Sequence, residues 1–256
     1  MKNISVRNLI IGEGLPKICV GFYGEDFDLA EQMYQRIKDE PADILEWRVD
    51  SLLGGAFRDV EKIDRLITKI REEDDRPLIL TLRTEDEGGL ANLLPRDYSE
   101  IIRSYTDSQA DILDIEAFVK DDDRDEDVTL FLGYLAKENG KAIILSNHDF
   151  TFMPKEEEIV RRLVKMAELG ADIPKAAYMA ATEEDARVML AASEEASAIL
   201  TVPFITMAMG EEGKITRLAG GMFGSCITYA ASEIGATAPG QIKARDMQRY
   251  LREFYR

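Results

Sequence analysis

Eight apolar, strand-like runs recur about 30 residues apart through most of the chain, the length of one β/α unit. They fall at 17–23 (K-I-C-V-G-F-Y), 43–50 (D-I-L-E-W-R-V-D), 77–83 (P-L-I-L-T-L-R) and 111–118 (D-I-L-D-I-E-A-F), then at 141–148, 172–179, 203–209 and about 225–231. Segments of helical period lie between them. Asp28 leads to Ile37, apolar residues stand at 60, 63, 66, 67 and 70, and Ile159, Leu163 and Met166 share one face of Glu156–Leu169. Residues 4–12 (I-S-V-R-N-L-I-I-G) read as a short strand or hairpin ahead of this repeat, and the amphipathic tail Ala244–Tyr255 is expected to pack outside the last units. No Gly/Ser linker or low-complexity tract interrupts the pattern, so residues 1–256 read as a single domain. Eight strand–helix units predict a closed (β/α)8 TIM barrel. A doubly wound open sheet is the alternative, but no G-x-G-x-x-G turn follows a strand.

In such a barrel, chemistry belongs at the C-terminal ends of the strands, and the period of two along a strand sorts the candidates. Glu46 and Arg48 share parity and hence a face; Arg83 ends the third run, with Glu87 four residues on in T-E-D-E-G-G. His148, the chain's one histidine, ends the fifth run facing the same way as Ser146, and Lys175 lies within the sixth. A lysine in a buried strand is costly unless its amine has a task. Burial and nearby guanidinium groups would favour the neutral amine, and the small Ala176 and Ala177 leave room around it. The plainer readings are a lysine that snorkels to water and a histidine that caps a loop beside Asp149. Glu46 with Arg48, and Arg83 with Glu87, are either ion pairs holding the barrel floor or a cradle for a hydroxylated acid. Arg217, just after the seventh run, is a surface arginine or a carboxylate ligand. The stretch 232–241 (S-E-I-G-A-T-A-P-G-Q), with Thr237 and Gln241, is a connector or a lid.

Composition narrows the partners. The formal net charge of −17 disfavours nucleic acid and anionic membranes. The acid residues, as in Glu72–Asp75 and Asp121–Asp127, read as a solvated surface or as adaptation to a salty cytoplasm. Cys19 and Cys226 form no disulfide framework or zinc spacing. With no secretory leader in M-K-N-I-S-V and no bilayer-long apolar run, a cytoplasmic protein with reduced thiols is expected. G-E-E-G at 210–213 is a poor phosphate nest, because its two glutamates repel phosphate.

Taken together, D-I-L-E-W-R-V-D (43–50), L-R-T-E-D-E-G-G (82–89), S-N-H-D-F (146–150), A-D-I-P-K (171–175), R-L-A-G (217–220) and A-P-G-Q (238–241) resemble type I 3-dehydroquinate dehydratase nearly end to end. The resemblance implies a (β/α)8 barrel, a homodimer, no metal or organic cofactor, and a lyase of the shikimate pathway of aromatic amino acid biosynthesis. It implies that Lys175 forms a Schiff base with the substrate ketone, that His148 is general acid/base, and that Glu87 orients His148. Glu46, Arg48 and Arg83 would hold the substrate hydroxyls and the pocket. Arg217 would take the carboxylate, while Thr237 and Gln241 close over it. The chain departs from the commoner pattern at Thr237, where a serine is usual, and at Gly21, where a polar serine is familiar. A class I aldolase on the same barrel and a non-catalytic barrel scaffold are the competing readings. Aldolases usually take phosphorylated sugars, whereas these arginines suit a carboxylate.

Overall fold

The computed structural model describes residues 2–118 and 126–255. The acidic run 121–127 therefore lies largely outside the described residues. A two-stranded antiparallel hairpin comes first, β1 (Ile4–Val6) and β2 (Leu9–Ile11). Among the described residues, eight parallel strands then form a nearly closed barrel. In chain order these are β3 (Lys17–Phe22), β4 (Ile44–Arg48), β5 (Leu78–Thr81), β6 (Ile112–Glu116), β7 (Ala142–Asp149), β8 (Ile173–Met179), β9 (Ile205–Met209) and β10 (Ile227–Ala230). Each strand pairs with the next, and β10 returns to pair with β3; between β9 and β10 the contact is reduced to a bridge, Phe204 with Ser225. The expected (β/α)8 barrel with an N-terminal hairpin is the observed architecture.

The alternation along the strands explains both the core and the site. On β4, β5, β6, β7, β8, β9 and β10, the isoleucines Ile44, Ile79, Ile112, Ile144, Ile173, Ile205 and Ile227 point inward into one apolar cluster. Two residues further along each strand, where the pleat again faces inward, stand Glu46, Thr81, Asp114, Ser146, Lys175, Met207 and Tyr229. A dry floor thus lies beneath a largely polar layer, at the end of the barrel where the loops into the helices begin. The residues between (Leu45, Trp47, Leu80, Leu113, Ile115, Leu145) face outward into the second cluster, against the helices.

Four helices match the predicted periodicity: α1 (Phe27–Ile37), α2 (Val60–Arg71), α5 (Glu156–Glu168) and α8 (Ala244–Phe254). The others are α3 (Pro95–Tyr105), α4 (Glu126–Glu138), α6 (Glu183–Ile199) and α7 (Lys214–Ala219). α6 carries little apolar contrast because its inner face is mostly alanine (Ala186, Ala192 and Ala196, with Met189 and Ser193); the Thr182–Asp185 capping box marks its start. α8 packs on β3 as well as on α7, so the tail covers the place where the first and last units meet, not the last units alone.

Candidate active site

Lys175 and His148 come from neighbouring strands and line the same cavity, with Ser146 beside Lys175 in the β7–β8 register. The cavity is also lined by Glu46, Arg48, Arg83, Glu87, Tyr229, Thr237 and Gln241. The strand alternation thus brings most of the sequence-predicted residues to one mouth.

Lys175 is buried, 3% exposed, and does not snorkel. Its Nζ lies 2.8 Å from Asp114 Oδ2, 3.2 Å from the Tyr229 hydroxyl and 3.9 Å from Glu46 Oε1. The charged groups next to the amine are therefore carboxylates, and the expected guanidinium neighbours stand behind them. Burial alone would raise the Asp114 carboxyl, but Arg83 and Lys175 hold it far below the usual carboxylate range. Arg83 donates to Asp114 at 2.7 Å, to Ser146 at 3.0 Å, and to Glu87 and Glu116 at 3.3 Å each. Burial would lower this guanidinium; the three carboxylates raise it well above its ordinary value instead.

His148 Nδ1 lies 2.8 Å from Glu87 Oε2, which also accepts the His148 backbone N–H at 3.1 Å. Asn147 Nδ2 donates to the other oxygen at 3.0 Å, while Asn147 Oδ1 accepts from Tyr178 at 2.6 Å and from Arg162 at 2.7 Å. Glu87 is thus gripped from both sides and can fix the ring only one way round. Local sequence makes this possible: a short turn over Glu85–Glu87 ends at Gly88, whose φ of +79° is left-handed. A side chain at Gly88 would also strike the Phe150 ring, with 2.3 Å from an added Cβ. Burial first, then Arg83 and Lys175, push the imidazole well below its ordinary value, so it is neutral near pH 7.

Glu46 and Arg48 share a face as parity requires, yet they are not a pair. Arg48 is taken by Asp50 through two bonds of 2.7 and 2.8 Å, and Glu46 accepts from Thr81 at 3.0 Å while facing Lys175. Asp50 lies just beyond the strand, close enough for a fork–fork contact that Glu46 cannot offer. The other suggested pair, Arg83 with Glu87, exists at 3.3 Å.

Arg217 is not on the surface; it is 2% exposed behind Met207 and Tyr229. It donates to the carbonyls of Pro239 (2.9 Å) and Tyr229 (3.3 Å), its Nε has no partner, and among the described residues it has no ion pair. Burial with no opposing charge pushes it down to about 10. The stretch 232–241 lies over the mouth. Thr237 and Gln241 close a ring, the Thr237 N–H donating to Gln241 Oε1 at 2.9 Å and Gln241 Nε2 to Thr237 Oγ1 at 3.1 Å. A Cβ on Gly21 would sit 2.8 Å from Thr237 Cγ2, so the two departures from the commoner pattern fit each other: the added methyl occupies the room the glycine leaves.

Sequence reasoning did not single out Asp114, Ser146, Asn147 or Tyr229. The parity rule was available for Asp114, which alternates with Leu113 and Ile115 in run 111–118. Among the described residues, no group of three or more His, Cys, Asp and Glu side chains could hold a metal ion.

A barrel whose polar mouth joins a buried lysine to an imidazole–carboxylate pair belongs to the class of barrel enzymes with a lysine at the centre. The family model for type I 3-dehydroquinase matches residues 18–256. The 3-dehydroquinate dehydratase of Salmonella typhimurium is 41% identical over 254 residues, covering 98% of each chain. Among solved structures, type I 3-dehydroquinate dehydratase from Clostridium difficile, described with covalently modified comenic acid, superposes with a TM-score of 0.90 at 36% identity, covering 100% of this chain and 98% of that one. The 3-dehydroquinate dehydratase of Geobacillus kaustophilus does so with a TM-score of 0.90 at 33% identity, covering 99% and 96%. The chain belongs to the type I 3-dehydroquinase family, and its enzyme class is that of the type I 3-dehydroquinate dehydratases, carbon–oxygen hydro-lyases.

Proposed function

We propose that this enzyme dehydrates 3-dehydroquinate to 3-dehydroshikimate through an imine on Lys175. The observation that carries the reading is the lysine's placement in one cavity with an imidazole that Glu87 holds. The amine adds to the ring ketone and loses water; the protonated imine then acts as an electron sink and acidifies the adjacent C–H. His148, neutral because buried next to cations, takes that proton and returns it to the departing hydroxyl, with Glu87 holding the ring. Asp114 fixes the resting amine, a positioning task the sequence alone did not suggest. Glu46, Arg48 and Arg83 shape the wall that meets the ring hydroxyls. Arg217 is the carboxylate ligand, its counter-charge supplied by the substrate, and Thr237 with Gln241 close the mouth. The covalently modified ligand described for the Clostridium difficile relative is in keeping with a covalent step.

Incubation with 3-dehydroquinate tests this by two readings of one sample: the ultraviolet band of the conjugated product, and intact mass after borohydride reduction. Turnover with an adduct on Lys175 is expected; turnover with no trapped adduct would remove the imine, and a folded protein with neither signal would overturn the dehydratase reading and leave the scaffold and the aldolase. An aldolase would instead trap a phosphorylated sugar. We also propose a cytoplasmic homodimer, to be checked by sedimentation. Among the described residues, no helix is long and apolar enough to cross a membrane.

A further inference from the structure

Tyr229 stands inward on β10, 4% exposed, in the layer that carries Lys175. Lys175 Nζ lies over its ring, 4.5 Å from the centroid, and within 3.2 Å of its hydroxyl. The phenol oxygen accepts from the amine, and its own proton has no acceptor among the described residues. Tyr229 also lines the cavity in which the ketone must sit to reach Nζ. A phenol so placed touches the reacting nitrogen on one side and faces the substrate on the other.

We propose that Tyr229 is a catalytic residue that relays the proton of amine addition from Nζ to the substrate's ketone oxygen. The inference rests on the imine reading of Lys175. Starting from the neutral amine, the nitrogen lone pair forms the N–C bond and the carbonyl π pair withdraws onto oxygen. One proton leaves nitrogen for the phenol oxygen as the phenol's own proton passes to the new alkoxide. The product is a neutral carbinolamine and the tyrosine ends as it began, so no other reactant is needed. Burial first, then Glu46, push the phenol well above its ordinary range, which keeps it protonated and ready to donate at neutral pH. Asp114, the other group within hydrogen-bond reach of Nζ, is a poorer carrier because Arg83, 2.7 Å from its other oxygen, holds it ionised.

Tyr229→Phe isolates the step, because it keeps the ring beneath the amine and removes only the oxygen. Wild type and variant are mixed rapidly with 3-dehydroquinate, quenched into borohydride at a series of times, and weighed intact. Loss of a positioned acid–base group predicts that the adduct forms about a hundredfold more slowly in the variant. Affinity for quinate, which lacks the ketone, should be unchanged; a merely structural hydroxyl would alter that affinity and leave the trapping rate alone. Equal trapping rates overturn the proposal while sparing the imine. A wild-type protein that never traps overturns both. Should the phenylalanine variant not fold, 3,5-difluorotyrosine at 229 preserves the shape and lowers the phenol's pKa. The trapping rate should then move with pH relative to wild type, and an unmoved profile overturns the relay.

Discussion

Arg83 and Arg217 are buried to nearly the same depth, 3% and 2% exposed, and line opposite fortunes for a charge taken out of water. Arg83 sits among Asp114, Glu116 and Glu87, each carboxylate within 3.3 Å, and is held firmly cationic. Arg217 meets carbonyls and a thioether, leaves Nε bare, and is pushed down to about 10. A buried cation without a counter-charge is expensive. On the Arg83 side the protein supplies both signs and has built a finished lattice. On the Arg217 side it supplies one sign, and an anion from outside would complete it. Under the proposed function, the first corner holds the reacting groups in place and the second takes the substrate's carboxylate.

The largest expected effect lies inside the finished lattice. Lys175→Ala should abolish both turnover and borohydride trapping while the protein still folds, because Asp114 keeps Arg83 and Ser146 as partners. Circular dichroism and intact mass check this, and an unfolded variant would make the lysine structural instead. Next comes His148→Ala, which should lower kcat by about 10²- to 10⁴-fold and leave the imine trappable. The wild-type pH profile sharpens the same point. The imidazole works as a base when neutral, and its folded pKa lies well below the ordinary 6.5. The part of the acid limb that belongs to the imidazole should therefore fall below 6.5. For stability the sign is the same: below that ordinary value the unfolded chain takes up a proton the folded site refuses, so His148 costs stability as pH falls toward the folded pKa. In His148→Ala that part of the acid destabilisation should vanish from thermal melts.

The barrel was legible because most units repeat one bargain between pleat and burial: an inward isoleucine, then an inward polar group two residues on. Parity therefore placed Glu46, Arg48, His148 and Lys175 on one rim from the sequence. It could not assign partners. Arg48 chose Asp50 over Glu46 because a guanidinium fork selects by geometry across a turn, which strand alternation does not encode. Asn147 escaped notice because its parity is outward, and it reaches Glu87 only because the 85–89 loop folds back over the strand ends. Tyr229 lay in an apolar run where a tyrosine reads as packing. α6 was illegible for another reason: its buried face is mostly alanine, which carries little contrast against a polar face.

Smaller in effect is the loss of the unfinished corner. A charge-assisted contact to a substrate carboxylate contributes about 1.5–3 kcal/mol, so Arg217→Ala should raise KM by about 10- to 100-fold with kcat little changed. An unchanged KM would place the carboxylate elsewhere. Stability separates the two arginine environments independently of activity. Asp114→Ala takes from Arg83 and Lys175 the buried carboxylate that both share, and should cost about 3 kcal/mol in urea unfolding, whereas Arg217→Met should stay within about 1 kcal/mol of wild type. Equal losses would erase the contrast between the two corners.

The smallest effect concerns how the lid seals the side that waits. Gly21 leaves a space that the Thr237 methyl enters, and an added Cβ there would lie 2.8 Å from that methyl and 3.4 Å from Glu46 Oε2. Gly21→Ser should thus lift the lid, raising KM severalfold by an overpacking cost of about 1 kcal/mol. Thr237→Ser alone keeps the hydroxyl that Gln241 holds, and should change KM little. The double variant, with the serine's bulk restored on the strand and the methyl removed from the lid, should bind nearly as well as wild type. Residues in contact couple in this way, whereas independent ones add, so the steady-state KM values of the four proteins decide it. Strict additivity would mean that the glycine and the threonine are neighbours by accident, and that the lid's seat over the Arg217 corner is made by other groups.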